Sequence, residues 1–429
     1  MTMRTTALGL AALFLGLAAP ASAQAPASWP GWRGPQRDAL SPDKGLLATW
    51  PATGPKLLFK ASGLGTGFSS LAIAGGRVYT MGDIEGTQHV IALDAKDGKK
   101  LWSSPVGPAW VDEFPGPRAT PSVDGNLVFA VGTEGDAVAL DAATGKEVWR
   151  RSLPKDFGGV MMSIWKFSES PLVDGDRLIL TPGGPDALMV ALDKKTGKEI
   201  WRTAAPDLGT AGKPGAGYAG AVISNGAGVK QYVQLVGRGL VGVRASDGKL
   251  LWHYGRVANQ VANISTPVVK GDHVFASTGY QTGSALLKLV KSANGVDAQE
   301  VYFLEAPKFQ NHHGGFVVVG DTIYAGHGHN RGHPIALDFA TGKVLWGGPS
   351  LRNGGSGSAA VHYADGHLYF RYQNGKMVLI EATPEGYREK GSFDIPGVEK
   401  PSWSHPVVLG GRLYVREQDA LYVYDVKAS

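Results

Sequence analysis

The stretch densest in reactive side chains is QNHHGGFVVVGDTIYAGHGHNRGHP, which holds five of the eleven histidines: His312, His313, His327, His329 and His333. Imidazole ligates zinc, copper, iron and nickel, so these five are candidate ligands of a transition metal, provided that several converge on one point. No zinc spacing of a defined type is present, and two other readings stand beside the metal. The histidines can simply bond backbone and solvent in a loop rich in Gly, His and Asn. Alternatively His312 and His313 serve as catalytic acid–base groups, for which a near-neutral pKa suits them.

Further candidates are scattered along the chain: Arg118, Glu169, Tyr218, Asn263, Ser358, Trp403 and His405. Residues so far apart share a site only if the chain forms a closed array of similar units. The pattern Ala-Leu-Asp-x-x-x-Gly-Lys-x-x-Trp supplies that array. It recurs as ALDAKDGKKLW, ALDAATGKEVW, ALDKKTGKEIW, GVRASDGKLLW and ALDFATGKVLW, ending at Trp102, Trp149, Trp201, Trp252 and Trp346. The gaps are 47, 52, 51 and 94 residues, the last being two periods, because a degenerate unit ends at Phe303. A seventh unit ends at Phe393. Self-similarity at about 50 residues marks a propeller or solenoid.

One period resolves into four strand-like runs, Thr120 to Asp124, Leu127 to Val131, Ala137 to Asp141 and Lys146 to Arg150, separated by Gly-Asn, Glu-Gly-Asp and Ala-Thr-Gly turns. Blades start near Phe68, Arg118, Ser168, Ala219, Ile264, His313, Ser358 and Ser404, which predicts an all-β, eight-bladed propeller of four-stranded antiparallel blades. The last blade lacks an outer strand. PKLLFKA, 55–61, is an orphan strand with Phe59 in place of the Trp, and pairing it with the C-terminus closes the ring and removes sheet edges. The repeated Trp residues are assigned to wedge packing between blades, not to a site.

Residues 1–23 read as a cleavable leader, with Arg4, the apolar run Ala7 to Ala19 and the small residues Ala21-Ser22-Ala23. The segment 24–54 is an N-terminal extension and 55–429 the propeller. The chain has no cysteine, which removes disulfides, a lipoprotein anchor and a covalent c-type haem. A net charge of +5 without a basic run predicts no nucleic-acid partner, and the Gly-rich stretches lack phosphate-loop spacing. The expectation is a monomer, periplasmic or secreted, without a membrane anchor.

In a propeller the blade-to-blade connections share a face with the loops between second and third strands. Here those connections are long and individual, so the working face belongs there, with a small molecule or protein bound at its centre. Aligning the blades brings Arg118, Glu169, Tyr218, Asn263, His312, His313, Ser358, Trp403 and His405 to the axial mouth; of these Arg118, Glu169, Asn263, Trp403 and His405 are candidate cofactor-binding residues. Glu169 has a plain alternative as an ion-pair partner of Arg118. The apolar connection DFGGVMMSIWKFSES is either a lid over the axis or, with Phe114, Phe157, Ile164 and Trp165, a docking patch.

The repeat resembles the tryptophan-docking motif of the quinoprotein family, eight-bladed propellers that include pyrroloquinoline-quinone (PQQ) dehydrogenases and the outer-membrane assembly factor BamB. WPGWRGPQRD, Trp29 to Asp38, and SWSHPVVLGGRLYVREQD resemble segments of exported PQQ-repeat proteins. The resemblance implies either a ligand- or protein-binding scaffold or a PQQ- or metal-dependent oxidoreductase acting on an alcohol or sugar. In a dehydrogenase, calcium beside the quinone would take Glu169 and Asn263. The chain departs from that pattern in having no cysteine pair and in carrying Asn311-His312-His313 where an acidic base is sought.

Overall fold

The computed structural model describes residues 1–2 and 28–428; the expected leader, from residue 3 onward, lies outside them. The chain forms eight four-stranded antiparallel sheets, as the repeats predict. In the second blade the strands are Ser122–Asp124, Leu127–Val131, Asp136–Asp141 and Glu147–Ser152. Leu127–Val131 is buried on both faces because neighbouring blades cover both, whereas in the outermost strand only Trp149 is buried. The innermost strands, from Ala72–Ala74 round to Val407–Leu409, are mostly three residues long and surround the axis.

The tryptophans pack as assigned, and a glycine one blade on makes it possible. Gly145, Gly197 and Gly248 sit at φ of 75°, 68° and 74°, and a Cβ on each would come within 2.7, 2.8 and 2.5 Å of Trp102, Trp149 and Trp201. The indole N–H groups of these three donate to the carbonyls of Ala142, Lys194 and Ala245, so each large side chain is anchored by packing and by a polar tip.

Two degenerate units depart from the expected register. In the fifth blade the wedge residue is Tyr302, not Phe303: it packs on Gly342, its hydroxyl donates to the carbonyl of Phe339 at 2.9 Å, and the strand bulges beside it just as it does beside Trp201. Phe303 lies one residue along and faces the other way, under the Arg256 guanidinium. In the seventh blade the register position of the Trp is held by Gly391, and Trp50 from the N-terminal extension packs directly on it. Trp252 faces a fifth blade that lacks the Gly-Lys turn, and its N–H bonds Gln231 of its own blade.

Lys56–Ala61 pairs antiparallel with Ala420–Asp425, so the eighth blade is completed by the N-terminal strand. Phe59 packs on Gly98 as Trp149 packs on Gly197.

The residues before that strand are not an appendage. Trp29 bridges to Ile73 of the first blade, Pro30 accepts from Val123 of the second, and Arg37 donates to the carbonyls of Ser170 and Pro171 in the third. Trp32 bonds Thr266 of the fifth blade, Arg33 the carbonyl of Phe316 in the sixth, Leu40 bridges to Tyr363 of the seventh and Asp43 accepts from Gly411 of the eighth. This segment crosses the axis as a plug. Arg33, Arg37 and Ala39 hold φ of 60°, 57° and 62°, a left-handed backbone that persists only because the surrounding blades impose it.

Candidate ligand cavity

Above the plug, on the face of the long connections, lies a cavity of about 370 Å³. Trp32 and Arg33 supply its floor, and the connections supply Phe68, Phe114, Arg118, Trp165, Tyr218 and Trp403. The expected lid folds inward. Ser163 is 2.6 Å from the Tyr218 hydroxyl and donates to Val261 O, and Met161 bridges to Ala216, so the apolar connection becomes a wall. Of its four proposed docking residues only Ile164 is exposed (72 %); Phe157 is buried, and Phe114 and Trp165 line the cavity.

Aromatic rings gather along one side. Trp32 lies 4.5 Å from His405, whose Nε2 is 3.2 Å from the carbonyl of His313; the His313 ring is 4.8 Å from Trp403 and 4.3 Å from His312. Trp403 continues to Phe68 and Phe114, at 4.8 and 4.9 Å, and its N–H is fixed by Gln373. Backbone strain gathers here too: Phe114, Tyr280, Gln281 and Asn330 hold φ of 57°, 56°, 62° and 51°.

His312 is held at both ring nitrogens, Nδ1 at 2.8 Å from Asn330 and 3.2 Å from Ser358, Nε2 at 3.1 Å from the Tyr280 hydroxyl. Burial pushes it down to about 3, as it does His405, and holds His313 well below the usual imidazole range, so all three are neutral at physiological pH. The five candidate metal ligands divide. His312, His313 and His329 cluster, with His312 4.1 Å from His329; His327 lies behind them against Phe309; His333 sits at the rim on Arg352. Among the described residues no group of three or more His, Cys, Asp or Glu is arranged to hold a metal ion.

Arg118, Tyr218, His312, His313, Trp403 and His405 line the cavity; Glu169 and Asn263 do not. Alternation of neighbouring side chains just ahead of the innermost strands is the reason. Ser168 and Ser170 face the axis, which turns Glu169 between the blades, where it accepts from Thr181 N and Oγ1 and from Gln234 Nε2. Burial pushes its carboxyl up to about 7, opposed by those bonds and by Arg37 rather than by Arg118. Asn263 is turned away between Ala262 and Ile264; its amide donates to the carbonyls of Val236 and Gly237 and accepts from Asn259 N. Ser358 stands behind the lining, its hydroxyl 3.2 Å from both His312 Nδ1 and Asn330 Oδ1. Among the described residues no carboxylate lines the cavity, so these residues do not fit a calcium–PQQ pair.

Arg118 donates to the carbonyls of Phe114 and Gly116 and lies 4.3 Å over the Trp110 ring. Sequence reasoning missed Trp32, Arg33, Tyr280 and Gln373. The only signal for the first two was a pair of arginines in a Trp/Gly/Pro-rich segment, WPGWRGPQRD.

A family profile described as "Outer membrane protein assembly factor BamB" matches residues 35–109 and 86–348, more than half of the chain. The chain belongs to the BamB family. A BamB of Kangiella koreensis is 27% identical over 224 residues, covering 49% of this chain and 48% of that protein. The quinohemoprotein alcohol dehydrogenase ADH IIB of Pseudomonas putida is 28% identical over 207 residues, covering 44% of this chain and 27% of that protein. The chain thus spans half or less of these curated relatives. A europium-containing methanol dehydrogenase superposes with a TM-score of 0.64 at 13% identity, covering 90% of this chain and 89% of that one, a likeness of fold. Among the described residues of this BamB-family propeller, no helix is long and apolar enough to cross a membrane.

Proposed function

We propose that this BamB-family propeller is an exported, monomeric binding module whose small-molecule ligand sits in the axial cavity. One observation carries the reading: a segment outside the repeats crosses the ring, touching seven of its blades, and turns an open channel into a blind, aromatic-lined pocket. A channel kept only as scaffold has no need of a floor. Concave, mostly apolar sites with a few placed polar groups are where propellers and other folds bind small ligands. His312 and His313 reach the pocket as neutral hydrogen-bonding groups. Glu169 and Asn263, turned away, support a binding role over calcium-dependent quinone chemistry.

The test is calorimetric titration of the protein from residue 24 onward with PQQ, with and without calcium, and with a panel of small carboxylates and sugars. Trp403→Ala is the cavity control. Binding that this variant weakens supports the proposal. Calcium-dependent PQQ binding that Glu169→Ala and Asn263→Ala abolish would make the protein a quinone enzyme instead, and no binding by any compound would remove the cavity as a site.

A further inference from the structure

The charges around the cavity say which class of molecule it takes. Among the other buried guanidiniums, Arg37 and Arg416 donate to carbonyls and, for Arg416, to the Thr80 hydroxyl, whereas Arg371 makes an ion pair with Glu417 at 2.6 Å, both side chains fully enclosed. Arg33 is 3% exposed and has no such partner. Its Nε donates to Arg37 O, and Nη2 to the carbonyls of Asp38 and Phe316, while Nη1 is buried with no hydrogen-bond partner. Buried N–H groups are paired in almost every native structure, and a charged one left alone is costly.

The orphaned Nη1 lies against Gly315, where a Cβ would come within 2.6 Å of it, so any side chain at that position would crowd the guanidinium. Arg118, the second cation of the lining, spends its hydrogen bonds on carbonyls. Among the described residues the lining contains no Asp or Glu, and the histidines beside Arg33 are neutral. The nearest acid to Arg33, Asp38, lies outside the lining and uses its Oδ1 on Leu40 N. Asp38 and Asp83 act on Arg33 and Arg118 from outside the lining without an ion pair to either, so two arginines in a lining free of acids favour an anion, and the Trp32, His405, His313 and Trp403 rings favour a flat ring. At about 370 Å³ the cavity stands at the small end of the ~300–1,000 Å³ typical of ligand pockets.

We infer that the cavity takes a small planar aromatic carboxylate, its anion beside the Arg33 guanidinium with Arg118 adding positive field, and its ring among Trp32, Phe114 and Trp403. The inference rests on the binding role proposed above and adds the ligand's charge and shape.

Three isosteric probes test it by calorimetry: 2-naphthoate, the neutral 2-naphthylmethanol and the cationic 2-naphthylmethylamine. A charge-assisted bond to a buried guanidinium corresponds to roughly a 10- to 100-fold preference. The acid is therefore expected to bind at least tenfold more tightly than the alcohol, and the amine more weakly than either. Arg33→Met should remove the preference for acid over alcohol, while Arg33→Lys should keep part of it. If Arg33→Met fails to fold by circular dichroism, Arg118→Gln decides, with a several-fold loss for the acid alone. Equal affinity for acid and alcohol, or tightest binding of the amine, overturns the anion while leaving a small-molecule site. Failure of all three probes to bind overturns the ligand class, and if the wider panel also fails, the binding role goes with it.

Discussion

Stability should fall on mild acidification, and His362 offers the clearest measure of it. This residue is 1% exposed, packs 4.9 Å from Trp29 of the plug, and accepts from Val408 N at Nε2. Burial, with Arg33 and His405 nearby, pushes it down to about 3, far below the ~6.5 of an unfolded histidine. The folded state therefore binds fewer protons than the unfolded one between those values. Its contribution is fully present above pH ~6.5 and is lost as pH falls. At pH 5 the loss is about 1.5 units at 1.36 kcal/mol per unit, or ~2 kcal/mol. His312 and His405, also near 3, act in the same direction and bring the sum to ~6 kcal/mol. Glu169, raised to about 7, has the opposite sign, since it takes up a proton in the folded state first, and offsets ~3 kcal/mol over the same interval. The histidines win. Guanidinium unfolding followed by tryptophan fluorescence at pH 7.5 and pH 5 should show a net loss, and His362→Gln, whose amide oxygen can accept from Val408 N, should shrink the difference by ~2 kcal/mol. Parallel pH dependence in wild type and variant would refute the argument.

Gly197→Ala should cost ~2–4 kcal/mol, because left-handed backbone and overpacking on Trp149 add, while Gly175→Ala, at φ 59° with open space around it, should cost only ~1–2 kcal/mol; thermal denaturation of the pair separates wedge packing from turn strain. Tyr302→Phe should lose ~1 kcal/mol through the hydroxyl bond to Phe339 O, measured by the same unfolding assay, and a cost no greater than experimental error would place the wedge elsewhere. Deleting residues 1–46 keeps the closing strand Lys56–Ala61, so far-ultraviolet circular dichroism should still report the ring while affinity for any cavity ligand is lost. Glu169→Ala and Asn263→Ala should each lower stability by ~1–3 kcal/mol, because buried Gln234 and backbone groups lose their partners, without weakening cavity ligands.

The eight blades, the closing strand with Phe59 in a tryptophan's place, and the wedge role of the repeated Trp were legible in the chain alone. They follow from local rules, a turn that needs positive φ and a repeat that cannot bury its own face, and those rules reappear in every period. The register of the degenerate units was not legible, since a slip of one residue between Tyr302 and Phe303 exchanges the two faces of a strand and only the bulge decides which one docks. For the same reason Glu169 and Asn263 could be placed at the axial mouth by alignment but not aimed. Neighbouring residues point to opposite sides, and burial between blades turned both away. The histidine cluster was visible as composition, yet whether imidazoles converge on a metal or stack as neutral rings depends on distances between loops. Above all, the floor of the cavity comes from a segment outside the repeats. Its arginines are ordinary surface residues until the ring closes around them, and only the tertiary structure, by burying Arg33 without an ion-pair partner, turns them into an expectation of an anionic ligand.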